Sequence, residues 1–467
     1  METSDVIVIG AGPAGVVAAL RAAELGAHTT LITRGEFGGM AANDRPVPVR
    51  TLAHAARLLR GAQRLDRFGI AVSHPTLDYA RLLERVQEAI GDVRTNSRLR
   101  ERAEWLGVAL HDHTGDARFL DERTIETASG LRLRADRIIL CAGGTSRRLS
   151  VPGAELTATH SDAWGLKRIP HSMVVIGAGM TGAQVASIFQ AFGSRVTLFQ
   201  SGPRILPDED EDVSAAVAAA FRESGMAVRE AFGSIDAFER TRGGVRMSFS
   251  KNGMRESVEA ELAVAAIGWV ADTRELGLSA AGIETNARGY VAVDEHLRTS
   301  AASVYAAGDI TGRSMLVPQA IQDGWMAATN AVREDSMTLT EGLCPTGGFT
   351  EPEYARVGPT EAQARTAHDV LVSLVRFDET ARTIIDDRKA GFCKLLVERG
   401  THKMLGCHVV GERAVEIVQI VAIAMSSNVL IDDLVRVPLS FPTYTGILVR
   451  AAYRAAEQLG LQARWLA

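Results

Sequence analysis

Two stretches of the chain share one pattern of apolar and polar positions. Each begins with a short apolar run, passes through a glycine-rich turn into an alanine-rich helical pattern, and ends in a second apolar run. The first stretch reads DVIVIGAGPAGVVAALRAAELGAHTTLIT, and the second reads HSMVVIGAGMTGAQVASIFQAFGSRVTLFQ. This order predicts a buried strand, a turn, a helix that in the first stretch ends near Gly26, and a second strand. We therefore predict two βαβ units.

Both turns carry the spacing G-x-G-x-x-G. The first glycine permits a tight turn, the second lets the backbone approach a pyrophosphate, and the third lets helix and strand pack closely. Two dinucleotide sites follow, and a bound FAD with a visiting NADH or NADPH is the simplest pair, because hydride transfer joins these cofactors. A glycine turn without a ligand and one vestigial site are the alternatives. The six glycines are Gly10, Gly12, Gly15, Gly177, Gly179 and Gly182.

Neither βαβ unit ends its second strand with the acidic residue that usually binds the ribose hydroxyls. Thr33 stands there in the first unit, where its hydroxyl is expected to bind a ribose with Arg34 close by. Gln200 stands there in the second unit, and the missing carboxylate removes repulsion toward a 2′-phosphate. Ser201 and Arg204 are candidates to bind that phosphate, which favours NADPH. An ordinary surface position for Arg204 is the alternative.

From about Glu341 the pattern changes. The segments GGFTEPEYARVGPTEAQAR and CKLLVERGTHKMLGCHVVG read as strands, and the apolar helix VEIVQIVAIAMSSN follows them. An α+β tail is therefore predicted. Farther upstream, the acidic run Asp208–Asp212 is predicted to be a solvated turn before the next helix.

Composition narrows the class of protein. A chain of 467 residues suggests three domains, and 46% hydrophobic with 23% charged residues is typical of a globular protein. No apolar run reaches the roughly 20 residues of a membrane span, and no basic leader precedes the first strand, so we expect a cytoplasmic protein. The net charge of −5 argues against nucleic acid. The four cysteines form no C-x-x-C pair and are expected to be buried thiols, and no metal site is expected.

With both glycine turns placed, further segments resemble the pyridine nucleotide-disulfide oxidoreductases, the family of dihydrolipoamide dehydrogenase, glutathione reductase, mercuric reductase and soluble transhydrogenase. The segments are IILCAGGTSRRLSVPG, VAAIGWVADTRELGL and TSAASVYAAGDITG. The resemblance covers nearly the whole chain. It implies that Asp309, in the last segment, approaches the flavin ribityl chain and pyrophosphate.

The resemblance also implies the architecture. The expected fold class is α/β, with two Rossmann-like dinucleotide-binding domains, for FAD and NAD(P), and a C-terminal α+β dimerisation domain that makes the protein a homodimer. The expected segments are 1–150 and 272–340 for FAD, 151–271 for NAD(P) and 341–467 for the interface. Further candidate cofactor-binding residues are Pro13, Ala14, Gly39, Met40, Ala117, Ala142, Gly143, Gly268, Gly308, Pro318, Gln319 and Ala320.

The residues of the family's thiol chemistry are replaced. The stretch GGMAANDRPVPVRTL has Ala41 and Pro46 where the resemblance implies the two redox-active sulfurs, and Arg50 where the family has a lysine near the flavin. That lysine's glutamate partner is replaced by Gln184. In SFPTYTGIL, the histidine and glutamate of the family motif H-P-T-x-x-E are replaced by Phe441 and Gly446.

These replacements suggest a flavoenzyme without disulfide exchange. The sequence predicts an FAD-dependent NAD(P)H oxidoreductase that reduces a quinone or a similar small acceptor directly, in a pocket floored by residues 40–50 and walled by Phe441 and Tyr444 of the partner subunit. Arg50 is expected to offset developing negative charge, and Gln184 is the fourth candidate catalytic residue. Alternatives are a tailoring enzyme with one metabolite, a soluble transhydrogenase and a slow redox sensor. For Arg50, a salt-bridged helix position is the alternative, and for the two aromatic residues it is interface packing.

Overall fold

The computed structural model of the chain describes residues 1–43, 46–73, 75–339 and 343–461. The strands in these ranges are β1 (Glu2–Ile9), β2 (Thr29–Ile32), β3 (Ala109–His111), β4 (Ala117–Asp121), β5 (Thr124–Thr127), β6 (Arg132–Leu140), β7 (Gly144–Ser146), β8 (Ala158–Thr159), β9 (Ser172–Ile176), β10 (Arg195–Gln200), β11 (Ala227–Glu230), β12 (Ser234–Thr241), β13 (Gly244–Lys251), β14 (Met254–Ala260), β15 (Leu262–Ala265), β16 (Trp269–Ala271), β17 (Val304–Ala306), β18 (Thr346–Gly348), β19 (Tyr354–Val357), β20 (Val370–Arg376), β21 (Phe392–Glu398) and β22 (Met404–Val410). The helices are α1 (Pro13–Glu24), α2 (Gly39–Asn43), α3 (Val47–Ala62), α4 (Tyr79–Ser97), α5 (Leu99–Trp105), α6 (His160–Trp164), α7 (Met180–Ala191), α8 (Glu211–Glu223), α9 (Val317–Arg333), α10 (Glu361–Ala364), α11 (Ala381–Ile385), α12 (Ala414–Ser426), α13 (Ile431–Leu434) and α14 (Gly446–Gln458).

The chain divides into two compact units, each built from three segments. The first comprises residues 1–52, 78–147 and 268–341, and the second comprises residues 53–77, 148–267 and 342–467. The second unit thus holds most of the segments predicted to bind NAD(P) and to form the interface, together with residues 53–77 of the segment predicted to bind FAD. The finer division predicted from the sequence stays a prediction.

The first unit is organised around a seven-stranded sheet. Its strand order is β3-β2-β1-β6-β5-β4, and β17 also pairs with β6. Strands β1, β2, β3, β6 and β17 are mutually parallel where they pair. Alternate residues of β1 face opposite sides of the sheet: Val6 and Val8 pack in one core with α1 and α9, while Ile7 and Ile9 pack in another.

Helix α1 follows the sequence prediction closely. Pro13 occupies its first turn, where the missing N–H costs no hydrogen bond, and Gly12 is the N-cap. The helix ends at Glu24, and Gly26 adopts a φ of 91°, a left-handed conformation that glycine accepts at low cost. The strand, turn, helix and second strand predicted here are confirmed.

The described residues of the second unit form three sheets. A parallel sheet has the order β11-β10-β9-β15-β8 and carries the second βαβ unit, a three-stranded antiparallel sheet has the order β12-β13-β14, and a five-stranded antiparallel sheet has the order β18-β19-β22-β21-β20. Helices α12 and α14 pack on this last sheet in one apolar core. The predicted α/β class, second βαβ unit and α+β tail are therefore confirmed.

The acidic run before α8 departs from the prediction. Glu209 and Asp210 are 5% and 6% exposed rather than solvated. Asp210 pairs with Lys394 at 2.8 Å, and Glu209 pairs with Arg356 at 3.3 Å. Buried carboxylates are retained when cations compensate them, and both cations come from strands far along the chain. The prediction of a solvated turn is wrong for these two residues.

A helix that crosses a membrane must be long and predominantly apolar. Among the described residues, no helix is long and apolar enough to cross a membrane.

Candidate functional site

The first glycine turn has the geometry that a bound dinucleotide requires. A Cβ atom on Gly15 would lie 1.7 Å from the Gly10 carbonyl oxygen, and one on Gly10 would lie 2.3 Å from the Cys141 carbonyl oxygen. A Cβ on Gly12 would meet nothing within 4 Å. Packing thus requires glycine at positions 10 and 15, while Gly12 faces open space at the N-terminus of α1. An approaching pyrophosphate fits this arrangement, since the free backbone N–H groups of the helix point there.

Several other predicted FAD residues lie against this turn. Gly39 approaches it closely, because a Cβ on Gly39 would lie 2.7 Å from the Cα of Gly12. Gly308 lies against Ala14 and Ala320, with a hypothetical Cβ 3.1 Å and 3.6 Å from their Cβ atoms. The structure therefore brings together residues from α1, α2 and α9 and from the turn after β17.

The remaining residues predicted to bind FAD lie in several different elements of the first unit. Met40 lies beside Gly143, with its Cε atom 4.0 Å from the position of a Cβ there. Asp309 is half-buried in the 3₁₀ turn Gly308–Thr311. Ala142 packs partly buried beside the core, Pro318 and Gln319 lie in the first turn of α9, and the Gly268 carbonyl accepts a hydrogen bond from the Arg147 N–H. Ala117 is 7% exposed in β4, where its side chain packs in the core, and its contact with a cofactor stays a prediction.

Thr33 and Arg34 lie at the end of β2, as predicted, but both are already engaged. Thr33 is 8% exposed, and its carbonyl oxygen accepts hydrogen bonds from the backbone and the side chain of Thr114. Arg34 forms ion pairs with Asp272 at 3.0 Å and Asp116 at 3.2 Å. Burial opposes the charge of Arg34, but hydrogen bonds to the two carboxylates raise its pKa. Arg34 is thus a permanent cation beside the predicted adenosine end of the site.

The second glycine turn repeats the geometry of the first. A Cβ on Gly182 would lie 1.8 Å from the Gly177 carbonyl oxygen, and one on Gly177 would lie 2.4 Å from the Ala266 carbonyl oxygen. A Cβ on Gly179, the N-cap of α7, would meet nothing within 4 Å. The second turn therefore offers a second dinucleotide the same open approach to a helix N-terminus.

Gln200 and Arg204, at and after the end of β10, form hydrogen bonds within the protein. The Gln200 amide oxygen accepts a 2.9 Å hydrogen bond from the Ala178 N–H, which ties the strand end to the glycine turn. Arg204 donates to the Glu209 and Pro207 carbonyls and to Ser214 Oγ. These bonds engage two of the three guanidinium nitrogens, and the expected phosphate contact stays a prediction. Ser201 is exposed, and the preference for NADPH over NADH stays a prediction.

The four candidate catalytic residues lie in two units. Arg50 is exposed on α3 in the first unit; the predicted pocket floor around it includes residues 44 and 45, which lie outside the described residues. In the second unit, buried Gln184 accepts a hydrogen bond from the Phe349 N–H, and its amide donates to the Met180 carbonyl, both at 3.2 Å. Phe441 is 82% exposed.

Tyr444 is held in place within its own protomer. Its hydroxyl donates a 2.6 Å hydrogen bond to Asp386 Oδ2, and Arg382 lies over its ring. Burial and this carboxylate raise the pKa of Tyr444 to about 12, so the phenol stays protonated at neutral pH. The predicted wall therefore contains one exposed ring and one fixed ring.

Comparison with known proteins decides the family. A model described as pyridine nucleotide-disulphide oxidoreductase matches residues 4–324, and the dimerisation domain of the same family matches residues 344–452. The chain belongs to the pyridine nucleotide-disulphide oxidoreductase family. A mercuric reductase of Bacillus cereus is 30% identical over 92% of this chain and 68% of its own length. A dihydrolipoyl dehydrogenase of Chlorobaculum tepidum is 30% identical over 98% of both chains.

Solved structures agree with this assignment. LpdA from Mycobacterium tuberculosis is 25% identical, with a TM-score of 0.86 over 97% of this chain and 99% of its own. A flavoprotein disulfide reductase from Escherichia coli, at 24% identity and a TM-score of 0.86, shares the fold. In this family the cofactors are FAD and NAD(P)H, for which the two glycine turns provide fitting sites. The dimerisation domain indicates a homodimer.

The cysteines of this oxidoreductase lie away from the positions of the family's redox pair. Cys141 is 6% exposed beneath the first glycine turn, and Cys393 and Cys407 are fully buried in the β21–β22 pair, with their sulfurs 3.9 Å apart. Burial raises the pKa of the Cys141 and Cys344 thiols, and the hydrogen bond to Cys393 together with burial raises that of Cys407. Since the thiolate is the reactive form, these thiols are poor nucleophiles.

Two features of this oxidoreductase were not predicted from the sequence. Asp323 is 1% exposed on α9; its Oδ1 accepts a hydrogen bond from Gln319, one turn earlier. Arg60 on α3 binds the backbone of α7 through Ser187. The i, i+4 spacing of Gln319 and Asp323 is a signal for the first. Nothing in the sequence signals the second, because Arg60 and Ser187 are 127 residues apart. No group of three metal-ligating side chains occurs among the residues with described positions.

Proposed function

We propose that this oxidoreductase passes electrons from reduced flavin directly to a small organic acceptor such as a quinone, without a redox-active disulfide. The supporting observation is the chemistry of its sulfur atoms. Ala41 and Pro46 stand at the positions that the family alignment gives to the redox cysteines. Cys141 is buried beneath the first glycine turn, and Cys393 and Cys407 are buried in the core of the C-terminal antiparallel sheet. Neither Ala41 nor Pro46 carries sulfur, which supports a mechanism without a thiol relay at the flavin.

FAD, when bound, would supply the hydride and electron transfer that joins NAD(P)H to the acceptor. The residues of the chain bind and orient. The two open glycine turns hold the pyrophosphates, and Arg50 offsets the negative charge that develops during reduction. We propose that the acceptor stacks against exposed Phe441 of the partner subunit, while Tyr444 stays fixed by Asp386. We place this activity in the cytoplasm.

An anaerobic spectral titration tests the proposal. The purified yellow protein is titrated separately with NADH and NADPH, and menadione is then added. We expect one nucleotide to bleach the flavin after a single hydride equivalent, without the thiolate-to-flavin charge-transfer band of disulfide reductases. Menadione then restores the colour within the turnover time. A variant with Cys141, Cys344, Cys393 and Cys407 replaced by alanine should keep the same turnover if it folds.

Other outcomes separate the remaining functions. Bleaching without recovery by menadione would contradict a quinone acceptor and point to one narrow metabolite. Hydride exchange between NADH and NADP⁺ without an acceptor would indicate a transhydrogenase. A flavin that neither nucleotide reduces would overturn the dehydrogenase and leave a redox sensor. Loss of turnover in a folded cysteine variant would overturn the non-disulfide mechanism.

A further inference from the structure

One face of helix α7 is held by contacts from outside the nucleotide-binding βαβ unit. Met180, Gln184 and Ser187 lie at positions i, i+4 and i+7 of this helix, so they share a face. The Gln184 amide donates to the Met180 carbonyl at 3.2 Å, which orients its amide oxygen outward. Both Gln184 and Ser187 are buried, at 8% and 1% exposure.

Two backbone N–H groups reach this face from the segment after β18. The Phe349 N–H donates to Gln184 Oε1, and the Glu351 N–H donates to Ser187 Oγ, both at 3.2 Å. An amide suits position 184 because it accepts from Phe349 and donates to Met180 at once. A carboxylate there would place its charge against the Met180 carbonyl. Gln184, which stands where the family has the glutamate of an ion pair, thus links α7 to the segment after β18.

Arg60 completes the contacts on this face. Its Nη2 donates to the Ser187 carbonyl at 2.6 Å and lies 3.3 Å from Ser187 Oγ. Ser187 lies in the second half of α7, near the negative end of the helix dipole, where a cation is stabilising. Burial lowers the pKa of Arg60, and the nearby Glu351 partly restores it. A half-buried guanidinium that bonds a helix carbonyl fixes the position of that helix.

We propose that Arg60 is a positioning residue for the nicotinamide dinucleotide. Together with the N–H groups of Phe349 and Glu351, it holds α7 so that the open turn at Gly179 presents its backbone N–H groups to the pyrophosphate. The helix is a rigid rod, so a shift at Ser187 moves its N-terminus as well. This inference rests on the nicotinamide half of the proposed function and is independent of the acceptor.

Arg57 provides a matched control on the same helix. It lies one turn before Arg60 and is also half-buried. Its guanidinium pairs with Glu412 and, at 3.5 Å, with Glu353, both outside α7. Replacing either arginine removes one half-buried cation from α3. Only the replacement of Arg60 removes a contact with the nucleotide-binding helix.

The experiment compares Arg60→Met, Arg60→Lys and Arg57→Met with the wild-type holoenzyme. Binding of NAD⁺ is measured by isothermal titration calorimetry, which needs no turnover, and the FAD content and Tm are measured for each variant. We expect Arg60→Met to raise the Kd for NAD⁺ about ten-fold, since small misplacements far from the reacting atoms have effects up to about 10². Arg60→Lys should recover part of this loss, because an ammonium donates to the Ser187 carbonyl.

Arg57→Met should lower the Tm at least as much as Arg60→Met and leave the Kd within about two-fold, which is the margin we allow for a structural change alone. In steady state, Arg60→Met should raise the KM for the nucleotide with little change in kcat. Equal weakening of NAD⁺ binding in both methionine variants would overturn the proposal, as would an unchanged Kd in folded Arg60→Met. A wild-type protein that binds NAD⁺ but whose flavin is not reduced would refute the proposed function alone.

Discussion

Lys394 explains why an acidic run of this chain is buried. Its side chain is 3% exposed, and its Nζ lies 2.7 Å from Asp212, 2.8 Å from Asp210 and 3.3 Å from Glu361. Burial opposes the charge of Asp210, but the hydrogen bonds from Lys394 and from the Glu361 N–H lower its pKa. Lys394 faces His408 across β21 and β22, and His408 also lies near Asp210. The acidic run therefore packs against Lys394 and His408, which are neighbours on this sheet.

We expect Lys394→Met to lower the free energy of unfolding by about 3–5 kcal/mol, because removing the cation leaves the buried carboxylate of Asp210 uncompensated. Urea unfolding monitored by circular dichroism measures the change. The exposed Lys403, directly before β22, provides the control, and Lys403→Met should change the stability by less than about 0.5 kcal/mol. Equal stability of wild type and Lys394→Met would show that the carboxylates do not depend on this cation.

The two glycine turns show how a repeated element separates packing from binding. In each turn, the third glycine lies against the carbonyl of the first, while the second faces open space. The three glycines of each turn are therefore required for two different reasons. One is steric and independent of any ligand, and the other exists only for a dinucleotide that approaches the helix N-terminus.

Alanine substitutions in the second turn should separate these demands. We expect Gly179→Ala to leave the Tm within a few degrees of wild type, because a Cβ there meets nothing within 4 Å and φ is −73°. It should raise the KM for the nucleotide about ten-fold, the loss expected for one charge-assisted hydrogen bond of about 1.5 kcal/mol. Gly182→Ala should lower stability by about 1–3 kcal/mol through overpacking. Thermal unfolding and steady-state kinetics measure the two effects. Unchanged nucleotide kinetics in Gly179→Ala would remove the second turn from the binding site.

Sequence reasoning succeeded where the information is local. Helix α1 ends at Glu24, two residues before the predicted Gly26, because cap and turn residues lie within the same short segment. It failed at Glu209, which the sequence places in a solvated turn and which pairs with Arg356. Arg204, a candidate to bind a phosphate, donates to the nearby carbonyls of Glu209 and Pro207, and its contact with a phosphate stays a prediction. The partner of a charged side chain is set by tertiary packing, which residue types along the chain do not encode directly.

At the scale of the whole molecule, Phe441 is one of the large apolar side chains that a single chain leaves exposed. The chain belongs to a family with a dimerisation domain, and Phe441 is 82% exposed in one protomer. Large exposed aromatic residues occur at interfaces and binding sites because their burial is favourable. Tyr444, three residues later, is already bound to Asp386, so the exposed ring is the one available to a second molecule.

We expect Phe441→Ala to raise the KM for menadione about 3- to 10-fold, corresponding to the roughly 0.5–1.5 kcal/mol that an aromatic pair contributes beyond burial. The KM for the nucleotide should stay unchanged, because the glycine turns are untouched. Ile423, 60% exposed on α12, serves as the control, and Ile423→Ala should leave both KM values unchanged. Steady-state kinetics and sedimentation velocity at micromolar concentration measure these effects. If Phe441→Ala dissociates the dimer, or leaves the KM for menadione as in wild type, Phe441 contributes to the interface and not to the acceptor site.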